Sequence, residues 1–512
     1  MATSSISGLV SGLDTTAIVS KLMQVEAAPQ TLLKNKRVAE QSAITSLQAL
    51  NAKVSALATA AGGLSRLTSW NPVKASTSGT GLTATVTGNA APGTTSVTVQ
   101  QTARQHRLEM ASTAASTDVV TGPSTSIRLV SSTGTVTEVD TGDGTLAGLV
   151  SAVNSAGTGV RASTVRLDDG SLRLRLESTT TGDASAFSVT DSAGGQLLGG
   201  STVTAGRDAA ITIGSDTLHS ATNTFSGVLA GLDLTVASGT APGTVVDVAV
   251  TADTASLTTA VKTMVDAANA VLAQIRTSTS YDAVTKAKGP LSGDAGVRDL
   301  RDQLLSLVGA NPAGTSMATY GVQLTREGTL TFDEAAFTAK ATADPAGTAA
   351  AFAASGSWSG SGTVSLAGAG WRATPGTHPV SVSGDTVLVD GLPTTGTGPV
   401  RTGTGRGEGL SVSVDGDASG VLTLTQGFAA RLAAFAERAS NSSDGSLTTA
   451  TAGRNRTVSG LTSAIDAWDQ RLSTRQQSLE RQYAALEVSL SKLQNQSQWL
   501  SGQLAQLSSS SS

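Results

Sequence analysis

The last fifty residues constrain this chain more than any other stretch. Counting by sevens from Ile465 gives Leu472, Leu479, Leu486, Leu493, Leu500 and Leu507, an apolar column through 43 residues, or about 65 Å if helical throughout. Such a column is one seam of a coiled coil. Its companion column is poor. Three residues after each member lie Trp468, Arg475, Gln482, Ser489, Gln496 and Gln503, whereas Tyr483, Leu490 and Leu504 come four after. Between Leu461 and Ser501 there is no Gly or Pro, and four acidic residues balance four basic ones. A narrow-striped helix of this kind cannot bury its apolar face alone, so the sequence predicts a partner-dependent helical seam.

The other end of the chain supplies candidate partners. Asp14 reads as the N-cap of a helix over 15–26, with Ile18, Leu22 and Val25 on one face. Pro29 fits the first turn of a second helix that runs to about Ala61, before Gly62 and Gly63. Its apolar positions Leu47, Leu50, Val54 and Leu57 recur three and four apart, and the expectation is that this stripe faces the C-terminal seam. Matching stripes at opposite ends bring the termini together, so that everything between projects from one helical base.

From Asn71 the period changes from 3.6 to 2, in short runs separated by Gly, Pro, Ser and Thr. Strands are expected over 95–100, 160–166 and 171–176, the last two joined by Asp168-Asp169-Gly170, with one short helix carrying Leu146, Leu149, Val150 and Val153. Helical period returns with Leu257, Val261, Met264, Ala268, Val271 and Ile275, then with Val297, Leu300, Leu304 and Leu307. A hairpin over 321–332 turns at Glu327-Gly328, and Asp333 caps the next short helix. Residues 353–427 form a second Gly/Ser/Thr-rich, strand-like block. There Thr374-Pro375-Gly376-Thr377 echoes Ala91-Pro92-Gly93-Thr94, and 409–426 resembles 230–251. Two echoes in the same order hint at a duplicated β domain.

The fold class expected is therefore α+β multidomain: a helical, coiled-coil terminal stalk and a helical core bundle with inserted β-rich domains. The divisions are 1–70 (N-terminal helices), 71–252 (β-rich insertion), 253–352 (helical core with hairpin), 353–427 (second β-rich insertion) and 428–512 (C-terminal helices and coiled coil).

Composition narrows the chemistry. A net charge of −4 without a basic block argues against nucleic acid as a partner, and the absence of cysteine removes disulfides and thiolate sites. No run of 18 apolar residues suggests a membrane span, and the first cation, Lys21, comes too late for a secretory signal. His106, His219 and His378 lie far apart in strand-like contexts, which argues against a metal or catalytic site. Asp415, Asp417, Ser419 and Gly420 begin like a calcium loop, but position twelve is Gln426 and a β-turn is expected instead. Gly403, Gly405, Gly407 and Gly409 lack the strand-to-helix context of a nucleotide fingerprint. No enzyme activity and no cofactor are expected.

The run ISGLVSGLDTTAIVSKLMQVEAAPQTLLKNK from Ile6, and RLSTRQQSLERQYAALEVSLSKLQNQSQWLSGQLAQL from Arg471, resemble the two ends of the flagellar filament-capping (FliD, hook-associated cap) family. Residues 321–352 resemble that family's core, and 144–178 resemble an inserted motif of flagellins and hook-associated proteins. The resemblance implies a structural cap at the distal tip of the bacterial filament, promoting flagellin folding and polymerisation and retaining exported monomers. It implies a homo-oligomeric ring of roughly four to six subunits, with flagellin, a hook–filament junction protein and an export chaperone as further partners. It also implies an extracellular location reached without a cleaved signal peptide. Residues 353–427 depart from the family pattern, which passes quickly from this region to the last helices. An adhesin-like binding module, a flagellin and a junction protein stay open as alternatives.

Overall fold

The structure is a computed structural model that describes residues 14–309 and 316–509. The chain divides into two compact units, one formed by Met1–Trp70 with Thr254–Ser512 and the other by Asn71–Asp253. Nine helices are present among the described residues: α1 (Thr15–Glu26), α2 (Ala28–Gly63), α3 (Leu146–Ser155), α4 (Thr254–Thr279), α5 (Ala295–Gly309), α6 (Glu334–Ala343), α7 (Pro345–Phe352), α8 (Phe428–Ser440) and α9 (Ser446–Ser509). All but α3 belong to the first unit.

Local chemistry sets the helix ends. Asp14 accepts a hydrogen bond from the Ala17 amide at 2.8 Å, and Asp333 accepts from the amides of both Ala335 and Ala336 at 3.0 Å. The 64 residues of α9 give it a length of about 96 Å. Its helical stretch begins well before the heptad column and runs through Gly453 and Gly460, with no proline after Gly445.

The core of the helical unit forms where α2 meets α4, α5 and α8. Leu47, Leu50, Val54 and Leu57 are buried there with Val261, Met264, Val271, Leu304 and Leu432. Aromatic residues are scarce, yet six gather at one place: Trp70 lies 5.0 Å from Phe352, Phe352 lies 5.9 Å from Phe337, 5.8 Å from Tyr320 and 6.1 Å from Phe428, and Phe332 lies 5.5 Å from Phe337, ring centre to ring centre. Trp70, Phe352 and Phe428 stand next to the points where the chain leaves or re-enters the helices, so large side chains fix the places that smaller ones would leave loose. The hairpin Val322–Leu324 and Leu330–Phe332 turns at Gly328, whose φ of +72° suits glycine. Asn269 of α4 holds it, donating to the Leu330 carbonyl and accepting from the Leu330 amide, both at 2.8 Å.

The first unit also carries the β block between α7 and α8, with its own hydrophobic core of Val364, Val380, Val389, Leu410, Val412 and Leu422. Its long strands Ala354–Ala369 and Leu410–Gln426 pair antiparallel, and the second also pairs with Gly376–Ser383 and Val400–Thr402.

The unit Asn71–Asp253 has two cores. In one, a five-stranded sheet in the order Val73–Thr77, Thr244–Ala252, Gly93–Gln101, Ala209–Ile213, Asp216–Ser220 packs with a three-stranded sheet of Thr224–Leu229, Leu232–Val236 and Leu82–Val86. In the other, α3 covers strands drawn from 105–204, including the hairpin Val160–Arg166 and Leu172–Thr181. Its turn closes at Gly170, with φ +84°, through a Gly170 amide bond to the Leu167 carbonyl.

Candidate functional site: the helical stalk

Beyond the core, α1 and the start of α2 run antiparallel to α9. Gln30 Nε2 donates to Asp469 Oδ1 at 2.5 Å, Arg475 reaches Glu26 at 3.6 Å, and Arg454 bridges Glu40 and Asp294 at 2.8 Å each. These contacts fix a register in which residue numbers on the two strands of the stalk sum to nearly 500. Partial burial lowers the pKa of Arg454, but hydrogen bonds and charge from Asp294 and Glu40 outweigh it, so the guanidinium sits above its ordinary value. Arg454 is thus a fixed charge tying α9 to α2 and to the segment leading into α5.

That register decides which column residues are covered. Ile465 and Leu479 are buried and Leu472 is half-buried, with Val19 of α1 buried nearby in the antiparallel register. Past the level of Thr15, nothing described in the chain lies opposite α9. Leu486 is 45% exposed, Leu493 61% and Leu500 53%, and Val488, Trp499 and Leu504 are exposed with them. The side chain of Leu507 lies outside the described residues. On the other strand of the stalk, Leu22, Val25, Leu32 and Val38 are also exposed.

The expected partner helix α2 does run along α9, through Gln30–Asp469 and Glu40–Arg454, but its apolar stripe meets other residues than those of the column. Leu47, Leu50, Val54 and Leu57 do not face the seam; they lie past the Glu40–Arg454 contact, where α2 meets α4, α8 and Leu447 at the start of α9. Leu57 is 17 residues beyond Glu40, so it lies about 25 Å further along the helix than that contact, on the side away from Ile465. The exposed stalk positions Leu32 and Val38 escaped the sequence reading, although Leu32 stands seven after Val25, which lies on the face expected to be apolar.

Nothing described has the make-up of a reaction centre. Among the described residues no three His, Cys, Asp or Glu side chains gather closely enough to hold a metal. His106 is buried against the Phe187 ring at 5.1 Å, and burial pushes its imidazole below the usual range. His378 bridges Asp390 Oδ2 and the Thr374 carbonyl, both at 2.8 Å, inside the second β block. Asp417 does not join a cation loop; it accepts from the Gly384 amide at 2.8 Å. The Gly405–Gly407 segment is a single 3₁₀ turn with no helix after it. A groove of about 890 Å³ between α2, α8 and the β block is lined largely by small residues such as Ala58, Gly62, Gly370 and Ala433.

The class that emerges is an α+β assembly protein: a β-rich unit, and a helical unit with a two-stranded stalk whose apolar column runs on uncovered. The sequence models of the flagellar hook-associated protein 2 N-terminus and C-terminus match residues 11–106 and 206–495. The chain belongs to the flagellar hook-associated protein 2 family. It is 29% identical over 280 residues to the lateral flagellar hook-associated protein 2 of Vibrio parahaemolyticus, a match covering 50% of this chain and 62% of that one. The chain thus spans under two thirds of that relative's length. It is 28% identical over 378 residues to the B-type flagellar hook-associated protein 2 of Pseudomonas aeruginosa, covering 67% and 79%. Among solved structures, the D1-D2-D3 domains of the Escherichia coli flagellar cap protein FliD match with 24% identity and a TM-score of 0.49, over 60% of this chain and 89% of that one. No helix among the described residues is long and apolar enough to cross a membrane.

Proposed function

We propose that this protein caps the distal tip of the bacterial flagellar filament, outside the cell, where it promotes flagellin folding and polymerisation and keeps exported monomers from being lost. It works as a structural homo-oligomer, without catalysis or cofactor. Family membership supports the role, and the uncovered stalk column supports the mode: Leu486, Leu493 and Leu500 continue a seam that α1 covers only up to Leu479. Their apolar surface calls for neighbouring subunits or flagellin. A closed ring of roughly four to six copies satisfies every subunit equally. A junction protein and an export chaperone complete the set of partners, and the chain leaves the cell through the flagellar channel.

The test is complementation. A strain lacking this gene should shed monomeric flagellin into the medium, and the full chain should restore filaments. A chain with Leu486→Ala and Leu493→Ala should express and fold yet fail to restore them. Normal filaments in the deletion strain would remove the capping role; full rescue by the double variant would remove the stalk from it.

A further inference from the structure

We infer that residues 354–426 are a second copy of the β module that spans 73–252, and that 105–204 form a guest subdomain mounted in a turn of the first copy.

The correspondence is strand for strand. In the first copy the strands flanking the guest are eight: Val73–Thr77, Leu82–Val86, Gly93–Gln101, Ala209–Ile213, Asp216–Ser220, Thr224–Leu229, Leu232–Val236 and Thr244–Ala252. Their larger sheet has the order first, eighth, third, fourth, fifth, and the smaller has sixth, seventh, second. In 354–426 the two long strands each serve as two, because Gly362 and Gly416, at φ +74° and +72°, bend the ribbon opposite each other. Before the bend Ala354–Ala369 plays the first strand and after it the second; Leu410–Gln426 plays the seventh and then the eighth. Gly376–Ser383, Thr386–Val389 and Leu392–Pro393 take third, fourth and fifth place, and Val400–Thr402 the sixth. Every pairing in both sheets is antiparallel, in the same order.

Register agrees as well as order. Val73 pairs with Ala252 and Ala354 with Gln426; Gly93 pairs with Val250 and Gly376 with Leu424. The Asp253 amide donates to the Pro72 carbonyl and the Gly427 amide to Ala353, both at 2.8 Å, and a helix begins one residue later in each case, at Thr254 and at Phe428. Gly231 and Gly409 both have positive φ, and a Cβ on either would meet the backbone amide of one equivalent residue, Ala90 or Ala373, at 2.6 or 2.7 Å. Each of those alanines stands three before the glycine of the Pro-Gly pair that opens the third strand. Eight strands in one order could recur by convergence; a shared steric requirement at matched positions points to one module used twice.

Besides the fused long strands, the copies differ most at one place. Between third and fourth strands the second copy has the two-residue turn Gly384-Asp385, and the first has the whole stretch 102–208, with α3 and a core of its own. The module is therefore a mount, and that turn is its mounting site. A mounted guest needs only its two ends held side by side, which the bond pair between Arg104 and Arg207, at 2.9 and 3.1 Å, provides.

Two variants of the full chain test this. In the first, Thr102–Ala209 is replaced by Gly-Asp; in the second, residues 104–207 replace Gly384-Asp385 of a chain that has lost its original guest. Hydrogen exchange read by mass spectrometry reports on each part. Peptides covering 93–101 and 244–252 should stay within about tenfold of their native rates after excision, and those covering 146–155 and 172–181 should do so after transplantation. Retention in either variant supports a mount with a removable guest. Exchange accelerated more than about a hundredfold in the module of the first variant and in the guest of the second would overturn it.

Discussion

Replacing column leucines on the two sides of Leu479 should separate burial inside the chain from burial between chains. Ile465 is 3% exposed, so Ile465→Ala removes a covered side chain and should cost about 2–5 kcal/mol of stability in the isolated protein. Leu493 and Leu500 are more than half exposed, and truncating both should change the stability of the isolated chain by about 0.5 kcal/mol or less each. Covering a fully exposed leucine is worth about 1.5–3 kcal/mol. Half of each side chain remains to be covered, which gives about 1–1.5 kcal/mol per leucine, or about 2–3 for the pair, and weakens each inter-subunit contact by about 30- to 150-fold. Chemical denaturation of dilute protein measures the first quantity, and sedimentation velocity with tip occupancy on filaments measures the second. If Leu493→Ala with Leu500→Ala destabilised the dilute protein as strongly as Ile465→Ala, the column would be covered within the chain and the argument would fail. Unchanged association and tip occupancy would refute it equally.

Arg454→Met should loosen the stalk from the core, since it leaves Glu40 and Asp294 without their cation; at 28% side-chain exposure the cost falls between a surface and a buried pair, about 1–3 kcal/mol, read as a lower urea midpoint and faster exchange in α9. The β unit should lose stability in acid. The pKa of His106 is lowered by burial in the fold, so its contribution is fully present above the unfolded value of about 6.5 and is lost as pH falls through the folded one; a melting temperature of this unit that does not fall between pH 7.5 and 5, or that falls equally in His106→Gln, contradicts this. Deleting Ser355–Thr425 and joining Ala354 to Gln426 through Asn-Gly should preserve the helical circular dichroism and the melting of the core, because those two residues are already cross-strand partners; insoluble protein would show that the core needs the block.

What the sequence disclosed follows from how local each cause is. Asp14, Asp333, Gly170 and Gly328 act on backbone within four residues, so cap and turn chemistry located them before any coordinates. The heptad column is likewise a property of one helix. Its partner helices were legible at the N-terminal end but the residues that face it were not, because the spacing of Leu47, Leu50, Val54 and Leu57 tells which face is apolar and nothing of what covers it. That choice rests on Arg454 meeting residues 414 and 160 positions away. The echo between the Pro-Gly segments was visible, but the bend that turns one long strand into two depends on Gly362 and Gly416, and among 56 glycines nothing marks those two.

The two β blocks differ in size yet leave and re-enter the helices in the same way. Each enters on a strand and leaves on its antiparallel neighbour, and a backbone hydrogen bond of 2.8 Å closes the root on the residue before the next helix. Once the root is closed, the length of the excursion hardly bears on the core: closing a loop of about 180 residues rather than about 70 costs only about 0.8 kcal/mol more by chain entropy. Each head also buries its own apolar surface, Val97, Val99, Ile211 and Leu234 in one and Val380, Val389, Val412 and Leu422 in the other. In the second, Ala430 of α8 joins that core, so the helices lend it only a small apolar area. Under the capping role this separates two tasks along the chain. Substitutions in the heads alter what the tip presents to its surroundings, while those in α1, α2 and α9 alter how the cap holds its neighbours, and the two sets should combine additively in filament growth.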